Sequence, residues 1–141
     1  MNKLFVPLIL AICLLAASCT KNNRKEVEEK LVGTWLMKTN GSDVNGNGTY
    51  DAIERTPHDS TESKVTLTFK NDGTFLQVNQ YFSPGSTKNY PGKWELQKNS
   101  TQKLNMVFDD GMAIEAGIEV LTDKEFVMEH MHGLWNGYVR Q

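Results

Sequence analysis

The stretch Ser63-Lys64-Val65-Thr66-Leu67-Thr68-Phe69-Lys70-Asn71-Asp72-Gly73-Thr74-Phe75 decides how the chain is to be read. Val65, Leu67 and Phe69 alternate with Thr66 and Thr68, the period-two rhythm of a strand with one apolar face. Asn71-Asp72-Gly73 supplies turn chemistry before apolar residues resume, so the segment reads as a hairpin. The same grammar recurs in both directions. Candidate strands lie at 32–38, 63–70, 73–82, 90–97, 102–108, 112–121, 124–131 and 134–140. The links Pro84-Gly85, Asp109-Asp110-Gly111 and Thr122-Asp123 are of hairpin length. Ahead of them, Lys25 to Leu31 reads as a short helix of strong helix formers, with Val27 and Leu31 on one face. The expected fold is all-β: an eight-stranded up-and-down antiparallel barrel with a short N-terminal helix. A sandwich is less favoured, because consecutive hairpins need no crossovers and closure removes exposed edges.

Composition bounds the function. A chain of 141 residues suits one domain with one core. With 15 Lys+Arg against 17 Asp+Glu and a net charge of −2, it lacks the basic surplus that phosphate backbones demand, so no nucleic-acid partner is expected. A content of 39% hydrophobic and 23% charged residues fits a folded globule rather than a disordered segment. No Gly-x-Ser-x-Gly elbow, His-Glu-x-x-His, phosphate loop or dinucleotide fingerprint occurs. Glu115 and Glu119 suit a solvated strand face better than an acid/base pair. The chain is not expected to be an enzyme.

The two cysteines belong to the N-terminus. Lys3 gives a positive start, and Leu4 to Ala17 is an apolar run broken at Pro7. The run is shorter than the roughly 20 residues that span a bilayer, and it matches a secretory signal. Ala16-Ala17-Ser18 precedes Cys19, an order that resembles the bacterial lipoprotein signal, although Ala16 stands where leucine is commonest. The resemblance implies removal of residues 1–18 and lipidation of Cys19. Residues 19–24 become a tether and 25–141 the domain, anchored to the membrane through lipid. Thr20 is not the aspartate that retains some lipoproteins in the inner membrane, so outer-membrane placement is expected, on either face. Cys13 then leaves with the signal. The domain is left without a thiol, which excludes a disulfide, a cysteine nucleophile and a cysteine metal site together.

Gly33-Thr34-Trp35 follows the short helix and opens the first strand, Thr122-Asp123 lies between the sixth and seventh, and Arg140 ends the last. In this order the motifs resemble those of lipocalins, and the chain is similar in type to small bacterial lipocalin-like lipoproteins over residues 25–141. Lys124 departs from the tyrosine expected after Thr122-Asp123. The resemblance implies that Arg140 packs across Trp35 as a structural cation–π pair closing the barrel base. It also implies that a small apolar or amphipathic ligand binds in the barrel mouth. By alternation, Phe69, Phe126, Met128 and His130 are the candidate pocket residues.

The long connection after the first strand carries its own chemistry. Counted from Asp43, oxygen side chains fall at positions 1, 3, 5, 9 and 12 and glycine at 6, the spacing of an EF-hand calcium loop. Asp43, Asn45 and Asn47 would each offer a side-chain oxygen, Thr49 its carbonyl, Asp51 a direct or water-mediated contact, and Glu54 both oxygens. Alternate residues of a tightly wound loop point inward together, which suits an ion that takes six to eight hard oxygens. Tyr50 occupies the usual aliphatic eighth place, and no helices flank the loop. A lone loop of this kind, with two asparagines among its ligands, should bind Ca²⁺ weakly, at roughly 10⁻⁴–10⁻³ M, in a structural role.

His130 and His132 alternate on one strand and could chelate a metal only with a third ligand. Two rivals to ligand binding stay open. One is a protein-binding module using Tyr81, Phe82 and the 83–92 loop, such as an envelope enzyme inhibitor or accessory subunit. The other is a purely structural barrel filled by its own side chains.

Overall fold

Strand periodicity governs the chain from Gly33 onward. The computed structural model describes residues 23–131 and 133–141. A helix, α1, runs over 23–31. Nine strands follow among the described residues: β1 Gly33–Ser42, β2 Arg55–Pro57, β3 Ser63–Phe69, β4 Thr74–Tyr81, β5 Ser86–Leu96, β6 Lys103–Phe108, β7 Ala113–Leu121, β8 Glu125–His130 and β9 Leu134–Arg140. From β3 to β9 each strand pairs antiparallel with the next. The inner half of β1 pairs with β3, from Gly33 opposite Phe69 to Leu36 opposite Thr66. Its other edge pairs with β9, from Trp35 opposite Arg140 to Ser42 opposite Leu134. That last ladder closes the ring. The result is an eight-stranded antiparallel barrel, with β2 as a three-residue addition beside the outer half of β1.

The deciding hairpin forms as its chemistry dictates. Asp72 Oδ1 accepts from the backbone N–H and the hydroxyl of Thr74 at 2.9 and 2.6 Å. The hydroxyl of Thr74 and its amide hold the Asp72 carboxyl below the usual carboxylate range. Gly73 takes φ +78, where a side chain would be strained.

Two expected boundaries move outward at the same end of the barrel. β1 continues past residue 38 through Thr39-Asn40-Gly41-Ser42, and β5 begins at Ser86 rather than at residue 90. Most of the expected 83–92 loop is therefore strand, and the turn is confined to 82–85, with Tyr81 paired to Ser86. In β5 the residues Ser86 to Asn89 are exposed on both faces, so polar residues occupy both registers, and in β1 a bulge between Met37 and Thr39 breaks the alternation. The connection after β1 is also more ordered than a bare loop, since it contains a 3-10 turn, Ala52–Glu54, and β2.

The opposite end is shut by large side chains. Trp35, Phe69, Phe75, Phe126, Leu67, Leu96 and Leu104 are almost wholly buried there. Trp35 lies 5.6 Å from Phe126, Phe69 lies 5.4 Å from Trp94, and Phe126 stacks on Tyr138 at 5.6 Å between ring centres. Helix α1 places fully buried Leu31 beneath them, and the Trp35 indole donates to the Leu31 carbonyl at 2.8 Å. Arg24 ties the helix to the end of β5, donating to the carbonyls of Leu96 and Gln97 at 2.8 and 2.9 Å. The described residues thus hold a continuous core and a closed ladder.

Candidate functional site

A closed base and an open mouth place the chemistry at one end. Along the inner face of β4 the residues run Phe75, Gln77, Asn79 from base to mouth, and along β9 Tyr138 is followed outward by Asn136. These positions enclose a cavity of about 420 Å³. Its apolar walls are Met37, Val65, Tyr90, Phe108, Met112, Ile114 and Met128, and its polar groups are Gln77, Asn79, His130, Asn136 and Tyr138. The size falls within the range of small-molecule sites. The polar side chains are already engaged with one another. Gln77 Nε2 donates to Asn79 Oδ1 at 3.0 Å, and Asn136 Nδ2 lies 2.8 Å from His130 Nε2. Burial pushes the Tyr138 phenol up, so it remains a neutral group, with its hydroxyl meeting the Asn136 side chain.

Of the four expected pocket residues, Met128 and His130 line this cavity. Phe69 and Phe126 do not. They are 1% and 0% exposed and sit at the closed base, packed against each other, with Phe126 also against Trp35 and Phe69 against Trp94. Alternation identified the correct face but not the depth, because bulky rings two or three steps nearer the base fill the barrel there. Gln77, Asn79 and Asn136 are the lining residues that apolar patterning misses. Their signal was available only as register, since Gln77 and Asn79 continue the inward series that Phe75 begins.

A larger concavity of about 780 Å³ lies over β5, β6 and β7. Exposed Lys93, Glu95, Val107 and Glu115 line it, and alternation puts them on the outside of the sheet. It lies mainly over outward-facing residues, whereas the mouth cavity is lined by inward-facing ones, so size does not decide between them.

At the base, the Arg140 guanidinium lies over the Trp35 ring, 4.3 Å from its centre. It donates to the Val32 carbonyl at 2.8 Å, to the Lys30 carbonyl, and through Nε to the Asp123 carbonyl at 2.8 Å. These bonds join α1, the β7–β8 turn and β9. Gly33 makes the arrangement possible: its φ is +140, and a Cβ there would collide with Arg140 Nη1. The Gly-x-Trp spacing thus has a steric cause.

The segment 43–54 packs against the outside of the barrel at the mouth. Asp43 Oδ1 accepts from the Asn47 amide at 3.0 Å and Oδ2 from the Gly48 amide at 2.8 Å. Glu54 Oε1 accepts from the amides of Val44 and Asn45 at 2.9 and 3.1 Å, while its Oε2 is buried without a partner. The side chains of Asn47 and Asn45 donate to Asp51 Oδ2 at 2.8 and 3.3 Å and hold its carboxyl below the usual range. Thr49 Oγ1 donates to Asn47 Oδ1 at 2.7 Å. Among the described residues no group of three or more His, Cys, Asp or Glu is gathered as a metal site. A cation here would need the amide oxygens of Asn45 and Asn47 and the Thr49 carbonyl as well as the three acids. Tyr50 is engaged with the barrel instead. Its hydroxyl meets Thr39 Oγ1 at 2.8 Å, its ring packs edge-on against Trp135, and Arg55 lies over it at 4.2 Å. The aromatic at the eighth place pins the loop to β9, and Trp135 is consequently 1% exposed although it points out of the barrel.

Cys19 and His132 lie outside the described residues. Tyr81 and Phe82 are 37% and 47% exposed at the β4–β5 turn.

Comparison with known proteins agrees with this geometry. A family model described as a lipocalin-like domain matches residues 31–128. The crystal structure of a lipocalin-like protein from Bacteroides uniformis ATCC 8492 superposes with a TM-score of 0.58 at 15% identity, covering 79% of this chain and 99% of that one. At that identity the likeness concerns the fold. Apocrustacyanin C2 gives a TM-score of 0.46 at 10% identity, covering 84% of this chain and 68% of its own. No curated protein matches the sequence.

Proposed function

Because the chain belongs to the lipocalin-like domain family, we propose that it is a non-catalytic binding protein that takes a small apolar or amphipathic ligand into its barrel mouth. The observation that carries this reading is the cavity of about 420 Å³ inside the barrel mouth, with apolar sides and a few polar side chains. Binding would come from removing the ligand's apolar surface from water, at about 25 cal/mol per Å², with a few hydrogen bonds fixing orientation. The barrel is proposed to hang from the outer membrane by lipid on Cys19. The apolar run ending at Ala16-Ala17-Ser18 supports that placement.

The loop is proposed to hold one Ca²⁺ in a structural role, through Asp43, Asn45, Asn47, Thr49, Asp51 and Glu54. The unpartnered Glu54 Oε2 supports this, because a buried carboxylate oxygen without a donor suits a cation. The side-chain amides of Asn45 and Asn47 would turn their oxygens inward to complete the ligand set with the three carboxylates.

Native mass spectrometry of the protein extracted from cells tests the function. A co-purifying small molecule on the barrel is the expected result. A clean unliganded mass, with no uptake of fluorescent amphipathic probes, would count against the carrier. A co-purifying protein would favour the second reading, a protein-contact module, which the exposed Tyr81 and Phe82 keep in play.

A further inference from the structure

Two cavities meet at the barrel mouth. His130 and Asn136 line the mouth cavity of about 420 Å³ and also a second one, of about 530 Å³, bordered by the 43–57 excursion. Register explains the junction. Asn136 faces inward, and Asn40 opposite it and Leu134 two residues outward share that face, so the second cavity continues the first along β1 and β9. The excursion adds Val44, Ile53 and Glu54. Glu54 is the one carboxylate among the described lining residues, and its Oε1 is turned to the amides of Val44 and Asn45.

The apolar side chains on the two sides of the junction differ in exposure. Inside, Phe108 and Met128 belong to the core, and Ile114 packs against it. Outside, Val44, Ile53 and Leu134 are 81%, 89% and 42% exposed, although all three border one cavity. Single apolar residues are ordinary on a protein surface, but three around one concavity gain by being covered together. Between the two sets stands the Asn136 carboxamide, both donor and acceptor, with the His130 ring 2.8 Å away. A ligand that fills both cavities therefore meets apolar, then polar, then apolar surroundings. A polar head at the end of a single tail would leave the outer three side chains in water. We infer that the site takes an amphipath whose hydrogen-bonding group lies within its chain, between two apolar arms, as in an ester, an amide or a secondary alcohol. One arm lies in the barrel, the polar group reaches His130 and Asn136, and the second arm covers Val44, Ile53 and Leu134.

The inference rests on the reading that the mouth cavity is the ligand site, and its test separates the two. The full chain is titrated calorimetrically with decan-1-ol and decan-5-ol, isomers that differ only in where the hydroxyl sits. Neither is charged, so Lys88, across from Asn79 at the mouth, and the protonation of His130 act on both alike. Decan-5-ol should bind at least about fivefold more tightly. The double substitution Val44→Ser with Ile53→Ser should remove that advantage and leave decan-1-ol unchanged. Both positions are exposed, and an unaltered Tm shows that the variant is folded. Decan-1-ol binding as tightly as its isomer would overturn the inference while leaving the ligand site in place. An advantage that survives the substitution, or a loss shared equally by both alcohols, would overturn it likewise. Failure of both alcohols to bind would overturn the inference and the site together.

Discussion

Arg140 illustrates how much one residue can hold. Its guanidinium covers Trp35 and donates to three backbone carbonyls, on the helix, on the segment leading into β1 and on the β7–β8 turn. Removing it leaves those carbonyls without a donor and uncovers an indole. Arg140→Ala should lower stability by roughly 2–4 kcal/mol in a denaturant titration, and Arg140→Lys should recover only a minor part. A lysine keeps the charge but cannot present a planar fork to three acceptors. A change below about 0.5 kcal/mol would mean the base is closed by the aromatic packing alone. The pairing of Trp35 with Arg140 was legible from the sequence through family resemblance. The reason for Gly33 was not, because it depends on where a guanidinium from the far end of the chain comes to rest.

At the scale of elements, legibility follows solvation. Strands β3 and β6 match their alternation within a residue or so, since each has one face in the core and the other largely in water, and β9 keeps its expected bounds although Tyr50 covers Trp135 on its outer face. The outer halves of β1 and β5 were not readable, because a bulge between Met37 and Thr39 breaks the rhythm before Thr39 to Ser42, and Ser86 to Asn89 are exposed on both faces. The same effect hid Gln77 and Asn79, whose polar side chains face inward. It also made Phe69 and Phe126 look like pocket residues when depth assigns them to the base. The 43–54 loop was legible as a ligand spacing, whereas the docking of Tyr50 onto Trp135 was not. If the loop takes Ca²⁺, ion and barrel are linked by mass action. Millimolar Ca²⁺ should raise Tm by a few degrees, on the order of RT ln(1 + [L]/Kd), and EGTA should reverse it. Glu54→Gln should abolish the shift. A rise that persists in Glu54→Gln, or none in the parent, would contradict the assignment.

The whole molecule is a cup. Its base is closed by Trp35, the aromatic cluster and α1, and its mouth is left open between polar strand ends, with the 43–57 excursion strapped to the outer wall. Stability and binding are thereby separated along the barrel axis. The base can carry most of the burial, so Phe126→Ala should cost about 3–5 kcal/mol while leaving the mouth residues in place. Where ligand binds is the central claim, and chemical-shift mapping of isotope-labelled residues 23–141 against decanol tests it most directly. The predicted result is a set of saturable shifts at Gln77, Asn79, Met128, His130 and Asn136, with the base around Trp35 and Leu31 unmoved. Shifts confined to Lys93, Glu95, Val107 and Glu115 on the outer face, or none at saturation, would contradict it.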